Sequence, residues 1–377
     1  MAATQTVRVS HLGGIEVGYA ISGSGTTNAL DNSKPTCVLI NALHTTVAFW
    51  RPQFEDEELT STANLLAIEP LGHGATSCST EYFTYWDTAI MALQVMDKLG
   101  VERAFATGTS QGGFIVARMA LLAPDRIQGI VPIGTSMDDE SEDARRKGSW
   151  DAHAVCSPYL ERWSSTTPTP DFVIDEDWCR NVPALAYGDG STPESLQFWF
   201  DTWRRLYSGD EGRKKARMAI LCLVERDGLL SRLSDVKCPV HWLHGTKDAI
   251  WPDVLAREQI KLFTASPSNR VTVLVGGSHF LSVTHAREVN AILVEMIKIY
   301  DLWQSKTCTV VTALNSRNRL VSVTHPAWIG FLRTQELGII PRLRSRGGAQ
   351  FRWFIPQRVP SSNAAQPVLD TGSASKG

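Results

Sequence analysis

A serine between glycines is the first residue of this chain whose surroundings point to chemistry. Residues 107–114 have the sequence TGTSQGGF, in which residues 108–112 match the pattern G-x-S-x-G around Ser110. An apolar run at 103–107 predicts a strand before the serine, and residues 112–124 predict a helix after it. A serine on so sharp a turn needs glycine or a very small residue on both sides. The alternative is a plain glycine turn, in which the serine needs no partner.

A serine hydroxyl is a weak nucleophile unless a base takes its proton, and the base needs an acid to orient it. His279, in GGSHF, follows an apolar run and two glycines, which is typical of a loop at the end of a strand. Asp248, in HGTKDAIWP, lies a few residues past another predicted strand. Ser110, Asp248 and His279 follow one another in the order expected of a single enzyme architecture. Asp138, after a strand at 127–134, is the alternative acid.

Strand-like and helical patterns alternate along most of the chain. The predicted strands are 6–10, 16–21, 36–40, 64–68, 103–107, 127–134, 238–245 and 270–277, and the predicted helices are 84–100, 112–124, 194–209 and 285–303. This alternation predicts an α/β fold with a mostly parallel sheet that helices cover on both faces. The first two strands flank Gly13-Gly14 and should form an antiparallel hairpin at one edge.

A tryptophan-rich segment interrupts the alternation at residues 137–236. We interpret it as a helical cap over the carboxyl-terminal edge of the sheet, where open α/β sheets bind ligands. Its tryptophans could line an apolar pocket, although packing is the simpler role for each one. The predicted organisation is a core of residues 1–136 and 237–303, a cap of 137–236, and a basic, disordered extension of 304–377.

Composition and charge exclude several classes of function. The formal net charge is −2, and although residues 301–377 carry ten Lys and Arg against three acids, isolated arginines among Pro and Gly are weak evidence for nucleic-acid binding. Seven cysteines without a CxxC pair predict reduced thiols and no metal site.

We find no secretory signal, no peroxisomal ending, and no apolar run of about 18 residues. We expect a cytoplasmic protein with a small-molecule substrate, no nucleic-acid partner and no membrane span; the sequence does not indicate an oligomeric state.

Taken together, the motifs resemble those of the α/β-hydrolase fold family over residues 5–303. The stretch around Ser110 resembles its nucleophile elbow, LHGTKDAIWP its acid loop and GGSHF its histidine loop. The stretches LINALHTTVAFWRPQF (39–54) and EPLGHGATS (69–77) resemble the loops after its third and fourth strands. The resemblance implies a mostly parallel eight-stranded sheet with a helical cap. It is nearest to lactonase- and esterase-like members, and it extends to fungal hydrolases of secondary-metabolite pathways.

The resemblance also implies roles for individual residues. Ser110, His279 and Asp248 would form a catalytic triad. The oxyanion would be bound by the backbone N–H groups of Gln111 and Leu43. His44 and Phe114 are further candidates for contact with substrate, with a loop or packing role as the simpler alternative.

Two positions depart from the family pattern. Asn41-Ala42 stands where His-Gly is usual, which puts the shape of the oxyanion loop in question. Glu69 stands where Asp is usual, which we interpret as repacking of a structural network.

The expected activity is hydrolysis of an ester, thioester or lactone of a small, partly apolar substrate through an acyl-enzyme, as a tailoring step in secondary metabolism. No metal or organic cofactor is expected. Two alternatives stay open. One is an acyltransferase or cyclase that uses the same triad, and the other is a ligand-binding protein that has the fold without the activity.

Overall fold

The computed structural model describes residues 3–22 and 29–299. A single sheet organises these residues. Its strands are β1 (Gln5–Val9), β2 (Ile15–Ile21), β3 (Thr36–Ile40), β4 (Asn64–Ile68), β5 (Ser77–Cys78), β6 (Ala104–Thr109), β7 (Ile127–Ile133), β8 (Val240–Gly245) and β9 (Asn269–Leu274). Across the sheet they follow the order β1-β2-β4-β3-β6-β7-β8-β9, with β5 paired to β2. The pairs from β4 to β9 are parallel, whereas β1 and β2 form the predicted antiparallel hairpin at the edge.

Helices cover the sheet and connect its parallel strands. They are α1 (Arg51–Phe54), α2 (Glu57–Thr62), α3 (Tyr85–Lys98), α4 (Gln111–Leu122), α5 (Glu142–Arg146), α6 (Ala152–Arg162), α7 (Glu176–Tyr187), α8 (Pro193–Leu206), α9 (Gly209–Val224), α10 (Asp253–Gln259), α11 (Leu281–Thr284) and α12 (286–299). Local sequence explains where several begin. Helix α3 starts at a capping box of Thr84 and Asp87, and α8 at a box of Thr192 and Ser195 with a proline in its first turn.

The central strands β3, β4 and β6 are buried on both faces. All five residues of β3 and all five of β4 are buried, as their continuous apolar runs predict. In the parallel pairing of β3 with β6, Ile40 lies opposite Gly108. The loops after these strands therefore begin side by side at one edge of the sheet.

Helices α5–α9 all lie between β7 and β8, in the tryptophan-rich segment. Three contacts connect this segment to loops that follow parallel strands. The Tyr207 hydroxyl donates to the Gly72 carbonyl, the Phe280 N–H donates to the Ala186 carbonyl, and Trp178 contacts His44. The segment is therefore in contact with the carboxyl-terminal edge of the sheet.

Two elements differ from the sequence-based expectation. The helix expected from residue 285 begins at residue 286, and the short helix α11 before it was not expected; His285 lies between the two with non-helical dihedral angles. The sheet has nine strands where eight were expected, since β5 pairs with Ile15 and Glu16. A strand of two residues is too short to produce an alternating pattern. Residues 300–303 of the expected helix, and the expected disordered extension 304–377, lie outside the described residues.

The described residues include no helix that is long and apolar enough to cross a membrane. The six cysteines within these ranges are free thiols. Burial raises the pKa of Cys37 and of Cys156 to about 12, so these thiols stay protonated at neutral pH and serve packing.

Candidate active site

Ser110 lies on the turn between β6 and α4 in a strained backbone conformation. Its φ is 58° and its ψ is −122°, a combination that residues other than glycine rarely adopt. Its N–H donates to the Ile133 carbonyl (2.9 Å), and its carbonyl accepts from the Gly113 N–H (2.9 Å). Ser110 is also the residue that caps α4, so the free N–H groups of the first helical turn lie beside it.

The glycines around Ser110 have a steric function. A Cβ on Gly108 would lie 2.2 Å from the carbonyl carbon and oxygen of Gly112. A Cβ on Gly112 would lie 2.1 Å from the carbonyl oxygen of Ile40 in β3. Neither contact can be relieved by rotation of a side chain, because both involve backbone atoms. The turn therefore allows G-x-S-x-G and excludes a side chain at either flanking position.

Asp248 and His279 meet where two loops cross. The loop after β8 passes the loop after β9 so closely that a Cβ on Gly245 would lie 2.1 Å from the Gly277 carbonyl oxygen. This crossing brings the His279 Nδ1–H to 3.1 Å from Asp248 Oδ1 and 3.0 Å from Oδ2. The alternative acid, Asp138, makes no such contact; it accepts hydrogen bonds from the N–H and hydroxyl of Ser141.

The surroundings of Asp248 favour its ionised form. Its side chain is fully buried, and burial alone raises the pKa of a carboxyl group. His279, His244 and the backbone N–H of Trp251 oppose this effect and together lower the pKa of Asp248 below its ordinary value. An ionised Asp248 holds the Nδ1–H tautomer of His279 and leaves its Nε2 free to accept a proton.

The elbow around Ser110 and the loop of His279 are connected by packing, although among the described residues no hydrogen bond joins the Ser110 hydroxyl to the His279 ring. The side chains of Thr109 and Ser282 contact each other and connect the elbow to the histidine loop. Gly134, whose neighbour Ile133 binds the Ser110 N–H, lies against Asp248 and the His279 carbonyl.

Two backbone N–H groups are predicted to bind an oxyanion, those of Leu43 and Gln111. Within the described part of the chain, neither Leu43 nor Gln111 donates its backbone N–H to a hydrogen bond. The departure at Asn41 does not leave the oxyanion loop unsupported. Asn41 Oδ1 accepts from Trp50 Nε1 (2.9 Å), and Asn41 Nδ2 donates to the Thr45 carbonyl (3.4 Å).

His73, in the loop after β4, supports the side chain of Gln111. Its Nδ1–H donates to the Leu71 carbonyl (2.8 Å), and its Nε2 accepts from Gln111 Nε2 (2.8 Å). Burial lowers the pKa of His73 to about 4, so the ring is neutral at physiological pH. A neutral ring with both nitrogens bonded holds Gln111 in one orientation.

Glu69 connects the loop after β4 to the loop after β3. Its carboxylate accepts from the Val47 N–H (3.0 Å) and from the Ala75 N–H (2.6 Å). Its longer side chain fits because glycine occupies positions 18 and 74, where a Cβ would lie within 2.3 Å of the carboxylate. Glu69, in place of the usual Asp, is therefore accommodated by a different packing of the same network.

Phe114 and His44 are both fully buried. Phe114 stacks on Tyr85 and contacts Trp251 edge-on, and the Arg226 guanidinium lies 4.8 Å from its ring centre. Both ring nitrogens of His44 are engaged in hydrogen bonds to the helical segment. Contact of either side chain with substrate remains a prediction, and each has a packing role here.

Sequence reasoning missed two partners of the site. Trp178 donates to His44 from a position 134 residues further along the chain, and no local pattern signals such a contact. The second partner is His244, whose Nε2 lies 2.9 Å from the Trp251 carbonyl oxygen and 3.5 Å from Asp248 Oδ2. Its buried Nδ1 has no partner among the described residues. The spacing of four residues between His244 and Asp248 was the available signal.

Metal binding has no visible support within residues 3–22 and 29–299. No three His, Cys, Asp or Glu side chains there are grouped so that they could hold an ion. The chemistry available at the site is that of a serine, a histidine, a carboxylate and backbone N–H donors.

The chain is similar in sequence to a known protein family and to a curated protein. Residues 35–286, more than half of the chain, match a family model described as "alpha/beta hydrolase fold". The chain is 29% identical over 117 residues to the protein named "Putative carbamate hydrolase RutD" from Stutzerimonas stutzeri (strain A1501). That match covers 31% of this chain and 43% of the relative, so the chain spans less than half of the length of this curated protein.

Solved structures share the architecture over most of the chain. An enol-lactonase from Burkholderia xenovorans LB400 superimposes with a TM-score of 0.54 at 22% identity, covering 78% of this chain and 100% of its own. A thermophilic esterase from Thermogutta terrifontis superimposes with a TM-score of 0.56 at 17% identity, covering 78% and 99%. At these identities the likeness establishes the fold.

Proposed function

Because this chain belongs to the α/β-hydrolase family, we propose that it is a serine hydrolase acting on an ester, thioester or lactone of a small, partly apolar substrate. The observation that carries the proposal is the conformation of Ser110, with φ 58° and ψ −122° between two sterically required glycines. Strain of this kind is retained where it serves function. The contact between Asp248 and His279 supports the same proposal.

In the first step, the Ser110 oxygen bonds to the carbonyl carbon of the substrate while its proton moves to His279 Nε2. The carbonyl oxygen gains the electron pair of the double bond. The backbone N–H groups of Leu43 and Gln111 stabilise this oxyanion, and each such donor typically contributes on the order of 10²–10³ in rate.

In the second step, the tetrahedral intermediate reforms the carbonyl and the bond to the leaving oxygen or sulfur breaks. His279 gives its proton to the leaving group. A water molecule then attacks the acyl-enzyme, with His279 again accepting and returning one proton, and releases the acid. Asp248 stays ionised throughout and stabilises the positive charge on His279.

The decisive experiment compares wild type and Ser110→Ala on p-nitrophenyl esters of increasing acyl length. We expect the variant to lose at least a thousandfold of kcat, because the residual rate would come from oxyanion binding alone. Ser136→Ala is the matched control. Ser136 is a buried serine in the loop after β7, and its hydroxyl lies 3.3 Å from Gln259 Oε1. Equal rates in wild type and Ser110→Ala would contradict the proposal.

The alternatives predict other outcomes. A fluorophosphonate probe should label Ser110 in the folded enzyme, whereas a purely ligand-binding protein would remain unlabelled while binding ligand. An acyltransferase or cyclase would transfer the acyl group to an added alcohol, or close a ring, in preference to water. A tailoring role in secondary metabolism stays a prediction, to be examined once the preferred acyl length is known.

A further inference from the structure

His44 has an uncommon backbone conformation at a position that matters for the proposed reaction. It follows Leu43 directly in the turn after β3, and its φ is 57°. A residue other than glycine in the left-handed region carries a conformational cost that other interactions must offset. The imidazole of His44 supplies such interactions.

The imidazole is fixed by two hydrogen bonds to the helical segment. Its Nδ1 accepts from the Trp178 indole N–H of α7 (2.9 Å), and its Nε2–H donates to the Ala216 carbonyl of α9 (3.2 Å). The side chain is fully buried, and the rings of Tyr207 and Trp203 lie 4.7 Å and 5.5 Å from its own.

These contacts exclude a role for His44 as a base. Burial, with His73 nearby, lowers the pKa of His44 well below its ordinary value, so the ring is neutral and both nitrogens are occupied. The imidazole acts as a rigid connector between the turn and two helices.

We propose that His44 is a positioning residue that orients the Leu43 N–H toward the oxyanion by tying its turn to α7 and α9. The Leu43 N–H has no partner among the described residues. Leu43 directly precedes His44, so the unusual φ of His44 affects the orientation of this N–H. The oxyanion site is then complete only when the helical segment is docked. This inference rests on the proposed function, and it assigns His44 an action through Leu43 in place of direct contact with substrate.

Two variants remove the connection in different ways. Trp178→Phe keeps an aromatic ring and deletes the N–H that His44 accepts. His44→Gly removes the imidazole, and the glycine that replaces it adopts a φ near 57° without strain. Each is assayed for kcat and KM on the preferred p-nitrophenyl ester, and for the Ki of a trifluoromethyl ketone of matching acyl length, which adds to Ser110 and places an oxyanion in the site.

We expect kcat to fall about 10-fold or more in His44→Gly and about 3- to 10-fold in Trp178→Phe, since the donor is misplaced and not deleted. KM should stay within about twofold, and the Ki should rise by the same factor as kcat/KM falls. A merely structural role would lower the melting temperature without this parallel change. The shape of the pH profile should not change, because His44 does not exchange protons.

Trp199→Phe is the matched control, because it deletes another buried indole N–H, bonded to the Tyr187 hydroxyl (3.0 Å) within the same helical segment. It should keep wild-type kcat and Ki. The inference is overturned if Trp178→Phe keeps wild-type kcat and Ki, and this variant decides the matter if His44→Gly does not fold. Failure of the proposed function is distinguishable, because wild type itself would then show no turnover that depends on Ser110.

Discussion

Gly108 illustrates how a single residue determines whether the site can form. Its backbone conformation is open to any amino acid, so glycine is required there only because a Cβ would overlap the backbone of Gly112. Gly112 meets the backbone of Ile40 in the same way. The elbow is thus held by the close approach of β6, α4 and the end of β3.

We therefore expect Gly108→Ala to destabilise the protein by about 3 kcal/mol or more, because overlap with backbone atoms cannot be relieved locally. Urea unfolding followed by circular dichroism measures the change. Gly129→Ala, in the adjacent strand β7, is the control: its added Cβ would meet side chains at 3.1 Å or more. Equal stability of the two variants would show that the elbow tolerates a side chain at residue 108.

The residues proposed for the triad could be predicted from sequence because each one has a local signature. Ser110 lies between glycines, and Asp248 and His279 each follow a strand by a few residues. The partners of Glu69 and His44 could not be predicted, since they depend on packing between distant parts of the chain. Gly18, for example, leaves room for the Glu69 carboxylate from 51 residues away.

Among the elements, the helical segment α5–α9 is held at both ends by a buried ion pair. Glu140 precedes α5, Arg226 follows α9, and Arg226 Nη2 donates to Glu140 Oε1 at 2.6 Å with both side chains almost fully buried. Glu140 also accepts from the Trp150 indole and from the Ala152 N–H. The ion pair therefore joins the two ends of the segment, where the chain leaves the sheet after β7 and returns to it before β8.

Glu140→Gln should lower the free energy of unfolding by about 3–5 kcal/mol, because it leaves the Arg226 guanidinium buried without a counter-charge. Denaturant unfolding measures this value. The matched control is Glu55→Gln, which breaks the exposed pair with Arg51 and should leave the midpoint nearly unchanged. A small effect of Glu140→Gln would mean that water reaches the pair.

Apolar periodicity predicted the strands and helices that pack against the sheet, but not the shortest elements. Strands β3 and β4 have the predicted bounds because both faces are buried and their apolar runs are continuous. The helix α11, directly before the helix predicted from residue 285, was not predicted, because a segment of four residues is too short to show a helical period. At the boundary His285 has non-helical dihedral angles, and its side chain contacts that of Thr284.

At the scale of the whole molecule, the protein buries several histidines in neutral form. Burial lowers the pKa of His73 to about 4 and, with Arg270 nearby, that of His241 to about 3, and it also lowers the pKa of His44. In the unfolded chain these side chains bind protons near pH 6.5. The unfolded state therefore binds more protons than the folded state at acidic pH, and stability must rise with pH across this interval.

The full chain should accordingly lose stability as the pH falls from about 6.5 to 4. For His73 alone the difference between the two pKa values corresponds to about 3 kcal/mol. His73→Gln should therefore lose less stability than wild type between pH 7 and pH 4, whatever its stability at pH 7, because one proton-binding site of the unfolded chain is gone. Urea unfolding of both proteins at several pH values measures the slopes, with His153→Gln, at an exposed position of α6, as the control with the wild-type slope. If His73→Gln keeps the wild-type slope, the His73 ring takes up its proton in the folded protein as readily as in the unfolded chain, and burial does not hold it neutral.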